Sequence, residues 1–364
     1  LFRYSLATDD QTGDGYALAL ETGARLVNME FIQFIPGLTS PVKKLLFQEK
    51  NLDTYPSVTN RKGEDILESY LPKELTREEC LTERAKHGPF STLGEGRWFD
   101  IAMYEEQRKG NALESGGVHI QYGPSIYKDE RWYIRSWLEW MGSRGIDVVK
   151  EGFDMIPHAQ GFNGGVLIDK NAATDIKGLF AGGETAGGMH GADRLGGAAI
   201  ASTQVFGAIA GTKAAEYAGK VRSRGTMKDA ESKMDILLKD IEKSSGKLKD
   251  SKELTNGLRD IMWNNAAIVR SEKGCAEGLQ RIEAMFASID HNKFLNNPGE
   301  RKKVFSLLHS LTVARAMLTS MRYRKESRGP HFRSDFPFQD DQYKGIVSLY
   351  KKGNSIQPEL SPAE

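Results

Sequence analysis

The feature that most constrains this sequence is the density of glycine between residues 151 and 200, which hold 12 of the 38 glycines. Glycine lacks a side chain, so another molecule can approach its backbone closely. The apolar run Gly178–Ala181 is followed directly by Gly182-Gly183-Glu184. This pattern predicts a short strand that ends in a tight turn, with a carboxylate just past its tip. Such a carboxylate can accept hydrogen bonds from ribose hydroxyls, and the alternative is a turn with a surface glutamate.

The next glycine-rich stretch, Gly187–Gly197, holds an imidazole and a guanidinium four residues apart, at His190 and Arg194. A long small-residue helix is predicted to follow, over Leu195–Tyr217. A helix start presents free N–H groups and a partial positive charge, so it stabilises an anion. Arg194 can bind a carboxylate through two hydrogen bonds. The structural alternatives are a salt bridge for Arg194 and a packing role for His190.

Composition excludes several classes of protein. The 50 basic and 49 acidic residues balance, so the chain has no strong field directed at nucleic acid or anionic lipid. Two cysteines, Cys80 and Cys275, are too few for a disulfide scaffold or a cysteine-ligated metal site, and we expect no metal. No run of about 18 apolar residues is present, so we expect no membrane-spanning helix. The chain starts at Leu1 rather than Met, and we expect it to be part of a longer protein.

Periodicity predicts mixed structure up to residue 220 and helices beyond it. The alternating segment Leu26–Phe34 is β-branched and aromatic enough to predict one strand. Apolar stripes at three-and-four spacing predict a small helical bundle, with helices at Lys228–Lys243, Leu254–Ser271, Gly278–Ile289 and Val304–Tyr323. The tail past Arg324 carries four prolines and is predicted to be mostly irregular.

Six short motifs occur in a fixed order along the chain. They are Thr12-Gly-Asp-Gly15, Met29-Glu-Phe-Ile-Gln-Phe34, Gly178-Leu-Phe-Ala-Gly-Gly-Glu184, His190-Gly-Ala-Asp-Arg-Leu-Gly-Gly197, Glu326-Ser-Arg-Gly-Pro-His331 and Asp335-Phe-Pro337. In these motifs and their order, the chain resembles the flavoprotein subunits of succinate dehydrogenase and fumarate reductase. That family also includes L-aspartate oxidase and the adenylylsulfate reductase α subunit. The resemblance spans nearly the whole chain.

The resemblance implies a fold of the α/β plus α class. Its parts are the C-terminal part of a split FAD-binding domain (residues 1–38 and 157–220), an inserted α+β capping domain (39–156), a C-terminal helical bundle domain (221–323) and a tail (324–364). The family's FAD domain opens with a GxGxxG turn between a strand and a helix, and this chain has none. The resemblance therefore places the pyrophosphate-binding unit outside this chain.

FAD is the cofactor that the resemblance implies. The expected cofactor-binding residues are Asp14, Glu184, Gly196, Gly197, Ala199 and Ile200. Glu184 is expected to bind the ribose, and the Gly196–Gly197 helix start is expected to stabilise reduced flavin. Ala199 and Ile200 align with a Ser-Leu pair that lies beside the isoalloxazine in the family.

The implied substrate site departs from the dicarboxylate enzymes of the family. Arg194 matches their substrate-binding arginine, but Ile35-Pro36-Gly37 replaces their His-Pro-Thr. Gln160 occupies the place of a second substrate histidine, and His158 lies two residues earlier. A shifted loop would deliver His158 to the site, and the alternative is a buried structural histidine. His190 is a further candidate for substrate binding.

The family's proton-shuttling arginine lies just before a helix. Arg97 occupies nearly that place, and Arg84 is the weaker candidate. Because an arginine side chain has a pKa above about 12, it acts as an acid only where neighbours favour proton loss. The alternative is a salt-bridged surface arginine. The expected catalytic residues are thus Arg97, Arg194 and His158.

These expectations describe an FAD-dependent oxidoreductase that transfers hydride between flavin and an anionic, carboxylate-bearing substrate. One alternative is a flavoprotein subunit like that of adenylylsulfate reductase. Another is a non-catalytic subunit or interaction module that kept the fold and lost the flavin. The implied partners are further copies of the chain and an iron–sulfur electron-transfer subunit, with no nucleic acid and no direct membrane insertion. The implied location is the cytoplasm, with membrane contact through partner subunits.

Overall fold

The computed structural model describes residues 1–8, 10–221, 251–289 and 298–362 of the chain. The helices in this part are α1 (Asp14–Glu21), α2 (Arg77–Arg84), α3 (Arg97–Arg108), α4 (Trp132–Gly142), α5 (Ala198–Lys220), α6 (Ser251–Ala266), α7 (Glu272–Ser288) and α8 (Pro298–Tyr323). The strands are β1 (Leu26–Val27), β2 (Ile32–Ser40), β3 (Leu45–Leu46), β4 (Ser57–Thr59), β5 (Val118–Gln121), β6 (Phe153–Phe162), β7 (Gly165–Leu167), β8 (Ala186–Gly187), β9 (Val269–Arg270), β10 (Phe332–Arg333), β11 (Gly345–Lys352) and β12 (Ser355–Pro362). The predicted helix Lys228–Lys243 lies outside the described residues.

Sheet A is antiparallel, with the strand order β3-β2-β6-β5-β4. Its longest pairing joins β2 and β6, and the register shifts between Gln33, opposite Gly161, and Phe34, opposite Ala159. Gln160 is therefore the extra residue of a β-bulge. A bulge re-aims the side chains around it, and this one lies beside the last part of the Met29–Phe34 motif.

The predicted single strand over Leu26–Phe34 was wrong, because the segment forms two strands in different sheets. Strand β1 ends at Val27, and Asn28 takes a left-handed conformation with φ 55°. The carboxylate of Glu30, in the turn, is fully buried and accepts hydrogen bonds from Arg324 at 2.6 Å and from Ser320. The strand is interrupted where Glu30 forms a buried ion pair with Arg324, which lies 294 positions away in the sequence. The alternation of apolar and polar residues over Leu26–Phe34 gives no sign of that distant partner.

Sheet B has the order β12-β11-β1-β7-β8, and its outer hairpin β11–β12 comes from the tail. The prediction of a mostly irregular tail past Arg324 was therefore wrong. Strand β12 is the edge strand, and it accommodates Pro358 and Pro362 because an edge strand leaves one row of amide positions without a partner strand.

The predicted helical bundle is present after residue 250. Helices α6, α7 and α8 pack against one another, and α1 packs on α8. Leu258, Ile261, Ile282 and Met317 are buried in the same core. By length and composition the stretch Lys302–Tyr323 of α8 could cross a membrane, which the sequence analysis did not anticipate, and 61% of its most apolar window is buried inside the fold.

Buried apolar side chains form two clusters. One draws all its buried members from residues 38–155, and the other joins residues 2–34 to the helical bundle and the C-terminal hairpin. Helix α5 belongs to neither, since none of its residues is buried and Ile200 is 73% exposed. The domain boundaries given above stay a prediction.

Candidate functional site

The predicted strand Gly178–Ala181 was wrong, because in the described part of the chain this run makes a single bridge, from Phe180 to Ala173. A strand needs a continuous ladder with a neighbour, and one bridge does not provide it. The carboxylate of Glu184 follows in a turn of 3-10 helix and accepts a hydrogen bond at 2.9 Å from the backbone N–H of Phe162. The hydroxyl of Tyr16 donates to the Glu184 carbonyl at 2.9 Å. Two neighbouring elements therefore fix the predicted ribose-binding glutamate.

The glycine pairs Gly164-Gly165 and Gly187-Gly188 let strands β7 and β8 lie close together. A Cβ added to Gly187 on β8 would lie 2.4 Å from the backbone nitrogen of Gly165 on β7. A Cβ added to Gly164 would lie 2.3 Å from the carbonyl oxygen of Asn28. A side chain at Gly187 would push β8 away from β7, and one at Gly164 would collide with the turn at Asn28.

The N-terminal end of helix α5 is open to the approach of another molecule. Its N-cap residue Gly197 takes a left-handed φ of 80°, and as a glycine it has no side chain to cap the first turn. A Cβ at Gly196 or Gly197 would meet no heavy atom within 4 Å. Ala199 and Ile200 follow in the first turn, and the carbonyl of Ala199 accepts a hydrogen bond from Ser202 at 3.0 Å. The N–H groups of Ala198 and Ile200 donate to the carbonyls of Leu195 and Gly197, at 3.2 Å and 3.1 Å, so it is the positive end of the helix dipole that faces the open surface.

The guanidinium of Arg194 is held along one edge. Its Nε and Nη2 donate to Oε1 of Gln33 at 2.9 Å and 2.6 Å, and the Gln33 amide donates back to the Arg194 carbonyl at 3.4 Å. In the described part of the chain, Nη1 of Arg194 has no hydrogen-bond partner. Gln33 lies in the Met29–Phe34 motif, and nothing in its residue type or spacing predicts this contact. The structural alternative for Arg194, a salt bridge, is not what the described residues form.

Three segments anchor the loop before α5. Ser91 donates to the Asp193 carboxylate at 2.6 Å, and the side chain of Asn163 donates to the Ala192 carbonyl at 2.8 Å. Gly329, in the Glu326–His331 motif, lies against Ala192, where an added Cβ would come within 2.8 Å of the carbonyl oxygen. The structure thus joins motifs that are far apart in sequence around one loop.

His190 lies in the same loop, half-buried. Its Nε2 lies 3.2 Å from the hydroxyl oxygen of Ser202 on α5. Burial, and then the charge of Arg194, lower the pKa of His190, so the imidazole is neutral near pH 7. A neutral imidazole has one donor and one acceptor nitrogen, and the serine contact occupies one of them.

Asp14 opens α1, and its carboxylate is held by a residue that the sequence analysis missed. His309 on α8 approaches Asp14 with Nδ1 at 2.8 Å from Oδ1, and Thr12 donates to the same oxygen at 2.7 Å. Ser310 donates to the Thr12 carbonyl at 3.1 Å. Helix α8 therefore fixes the direction of the Asp14 carboxylate. A lone histidine on a bundle helix carried no sequence signal of this contact.

His158 and Gln160 lie on β6 but differ in environment. His158 is 3% exposed, its Nδ1 lies 2.8 Å from the carbonyl oxygen of Ile156, and burial lowers its pKa to about 4. The Tyr4 ring packs on it edge-on at 5.8 Å. These contacts fit the structural alternative for His158. The carboxamide oxygen of Gln160 is buried without a hydrogen-bond donor among the described residues.

The two candidate arginines also differ. Arg97 is the first residue of α3, and its guanidinium donates to the carbonyl of Gly94 at 2.9 Å and to Glu95 at 3.2 Å. Arg84 is 2% exposed and forms a buried ion pair with Asp100 at 2.5 Å. Arg97 follows the segment that Ser91 ties to the Arg194 loop, whereas the carboxylate of Asp100 holds Arg84 in the core.

The polar groups around the loop fit a bound cofactor. The side-chain oxygens of Gln160 and Asn163 are buried and receive no hydrogen bond from the described residues. A buried acceptor without a donor costs about 1–3 kcal/mol, so a bound molecule with N–H or O–H groups would stabilise this arrangement. The open start of α5 and the carboxylate of Glu184 complete a set suited to a ligand with both hydroxyl and anionic parts.

Comparison with known proteins identifies the ligand class. The sequence matches family models described as "FAD binding domain" over residues 139–200 and "Fumarate reductase flavoprotein C-term" over residues 255–363. An uncharacterized FAD-dependent oxidoreductase of Methanocaldococcus jannaschii is 33% identical over 345 residues, which is 94% of this chain and 59% of that protein. The chain belongs to the succinate dehydrogenase/fumarate reductase flavoprotein superfamily. FAD is the cofactor of this flavoprotein.

Two further relatives agree with this assignment. One subunit of a fumarate reductase (CoM/CoB) from Methanothermobacter marburgensis is 30% identical over 357 residues, covering 95% of the flavoprotein chain and 60% of that relative. The solved structure of E. coli quinol fumarate reductase FrdA superposes with a TM-score of 0.75 at 25% identity. The superposition covers 100% of this chain and 63% of the FrdA chain. The flavoprotein chain thus spans about 60% of the length of the relatives it matches.

Proposed function

We propose that the protein containing this chain is an FAD-dependent oxidoreductase that transfers hydride between the flavin and an anionic, carboxylate-bearing substrate. The observation that carries the proposal is the guanidinium of Arg194, which Gln33 fixes along one edge beside the uncapped start of α5. FAD, when bound, supplies the hydride chemistry. The residues of this chain supply binding, orientation and charge.

Arg194 is the group that binds the substrate anion. Gln33 uses Nε and Nη2, which leaves the Nη1 side to face a carboxylate. A guanidinium matches a carboxylate in geometry, and a charge-assisted hydrogen bond is about twice as strong as a neutral one. Because Gln33 holds the side chain before substrate arrives, little side-chain entropy is lost on binding.

The remaining residues hold the cofactor. The positive end of α5, with Gly196 and Gly197 open to approach, stabilises negative charge placed against it. Glu184 and Asp14 accept hydrogen bonds from cofactor hydroxyl groups. Residues 39–156 form the capping domain that excludes water from the reacting atoms. We propose Arg97 as the proton donor, because the segment before it is tied to the Arg194 loop through Ser91.

A second candidate substrate class follows from residues 35–37. Ile35 is 5% exposed and fills the place of the family's histidine, and a Cβ at Gly37 would lie 2.8 Å from Nδ1 of His158. The imidazole that fills this corner, His158, is buried with its Nδ1 at 2.8 Å from the Ile156 carbonyl oxygen, so it is not presented to a second carboxylate. An anion other than a dicarboxylate, of the kind that an adenylylsulfate-reductase-like subunit takes, is favoured by this observation.

The test uses the full-length protein with bound FAD. We expect Arg194→Ala to raise KM for the carboxylate substrate about 100-fold, while Arg194→Lys, which keeps the charge, has a smaller effect. Steady-state kinetics with a reduced dye as electron donor, run over a panel of mono- and dicarboxylates, gives both the effect and the substrate. Unchanged KM and kcat in Arg194→Ala would remove Arg194 from the proposal.

Electron transfer to a second chain is part of the proposal. Cys80 and Cys275 are both buried and free, so they cannot form a four-cysteine iron–sulfur site. We propose that an iron–sulfur subunit exchanges electrons with the flavin. Co-purification from the native host, with iron analysis of the complex, tests this: a flavoprotein that purifies with full activity and no iron contradicts it.

A further inference from the structure

An aromatic pocket lies between α4 and the 3-10 turn Glu49–Thr54. Its volume is about 360 Å³, within the usual range for ligand sites. Three of the chain's five tryptophans line it, and the full lining is Gln48, Glu49, Lys50, Trp132, Tyr133, Ser136, Trp137 and Trp140. The indole of Trp132 is 79% exposed, which leaves a large apolar face uncovered.

The charge around this pocket favours a cation. Glu49 is half-buried, and its carboxylate makes no hydrogen bond or ion pair with any described residue. The nearby guanidinium of Arg131 is already bound by Asp129 and Asp53. Glu49 lines the same pocket as the aromatic residues, and the faces of those rings are themselves negative, so a carboxylate there adds to the negative potential.

Two of the rings already bind cations of this chain, and one of these is Arg131, which lies over Tyr133 at 5.2 Å from the ring centroid. The guanidinium of Arg144 lies over Trp140 at 3.9 Å from the ring centroid. This contact is closer than the others recorded for the described residues, and Arg144 also donates to the Trp140 carbonyl at 3.1 Å. Lys50 also lines the pocket, and it is exposed, so water solvates its side chain.

We propose that this pocket binds a small methylated ammonium compound, with Trp132, Tyr133 and Trp140 as the aromatic walls and Glu49 as the counter-charge. A methylated ammonium is weakly hydrated and spreads its charge over methyl groups, so it enters an aromatic pocket at low desolvation cost. An unmethylated ammonium keeps its water shell, and an anion is repelled by the ring faces and by Glu49.

The direct test is a fluorescence titration of the full-length protein. Tryptophan emission is followed while choline chloride is added at constant ionic strength, with sodium chloride as the compensating salt. The matched neutral probe is 3,3-dimethylbutan-1-ol, which has the same shape without the charge. We expect a saturable change with choline and none with the alcohol.

Variants locate the site. Trp132→Leu removes an exposed wall, and Glu49→Gln removes the charge without changing shape, so neither endangers the fold. We expect each to weaken choline binding about fivefold. Phe338→Leu is the control, because Phe338 is 81% exposed and lies outside the pocket. Equal binding of the neutral alcohol, absence of saturation with choline, or unchanged affinity in both variants would each overturn the proposal.

Discussion

Gln33 accepts two hydrogen bonds from the guanidinium of Arg194, at 2.9 Å and 2.6 Å, across 161 positions of sequence. One residue belongs to the Met29–Phe34 motif and the other to the His190–Gly197 motif, so a single contact ties β2 to the loop before α5. The contact sets the direction in which the free side of Arg194 points. Two motifs that look independent in sequence therefore act as one binding element.

Replacing Gln33 tests whether it positions Arg194. In Gln33→Met all three hydrogen bonds between Gln33 and Arg194 are lost at nearly constant volume, and we expect KM for the carboxylate substrate to rise about tenfold with a smaller change in kcat. Gln33→Glu keeps the acceptor geometry but neutralises the guanidinium, so KM should rise further. Steady-state kinetics of the full-length variants gives both values. Equal KM in wild type and Gln33→Met would show that Arg194 needs no support from Gln33.

His309 is expected to act on cofactor affinity through Asp14. His309→Ala removes the contact at 2.8 Å, and we expect FAD to bind about fivefold more weakly. His309→Asn places an amide N–H near the position of Nδ1 and should restore most of the affinity. Flavin fluorescence titration of the apoprotein measures both.

A control on the same helix separates this effect from general damage. Thr312 donates to the Leu308 carbonyl within α8 and does not contact Asp14. We expect Thr312→Val to bind FAD like the wild type. Equal losses in His309→Ala and His309→Asn would contradict a role for this hydrogen bond.

Some parts of this structure could be predicted from local sequence alone. The glycines before α5, the small-residue helix after them and the stripes of the bundle follow from spacing and residue type, and the structure has them. The turn at Asn28, the bulge at Gln160 and the contact of His309 with Asp14 depend on partners elsewhere in the chain. No periodicity marks such partners. The tail was misread because its prolines suggested irregular structure, whereas Pro358 and Pro362 lie on an edge strand.

The buried pair of Glu30 and Arg324 is expected to dominate stability around the Met29–Phe34 motif. Both side chains are 0% exposed, and Glu30→Gln leaves Arg324 with Glu326 as its remaining buried counter-charge, at 2.7 Å. The free energy of unfolding should therefore fall by about 2 kcal/mol. Glu83→Gln breaks an exposed ion pair with Lys86 and should change the free energy of unfolding by less than about 0.5 kcal/mol. Urea unfolding of both variants provides the comparison, and similar small losses would contradict the buried pair's importance.

The buried imidazole of His158 makes stability fall in acid. Burial lowers its pKa from 6.5 to about 4, so between these values the unfolded chain binds a proton that the folded chain does not. The free energy of unfolding is therefore unaffected by the titration of His158 above pH 6.5. It falls as the pH drops from 6.5 toward 4, by up to about 3 kcal/mol in total. His158→Gln should lose correspondingly less over the same range. Urea unfolding of the two proteins at several pH values checks this, and parallel pH dependence would contradict it.

The proposed oxidoreductase is tested most directly by the visible absorption spectrum of the full-length protein as purified. We expect flavin bands at one FAD per chain, bleached by one equivalent of a reductant and restored anaerobically when the carboxylate substrate is added in its oxidised, hydride-accepting form to the wild type but not to Arg194→Ala. A folded, full-length protein without flavin bands, even after incubation with FAD, would contradict the proposed function.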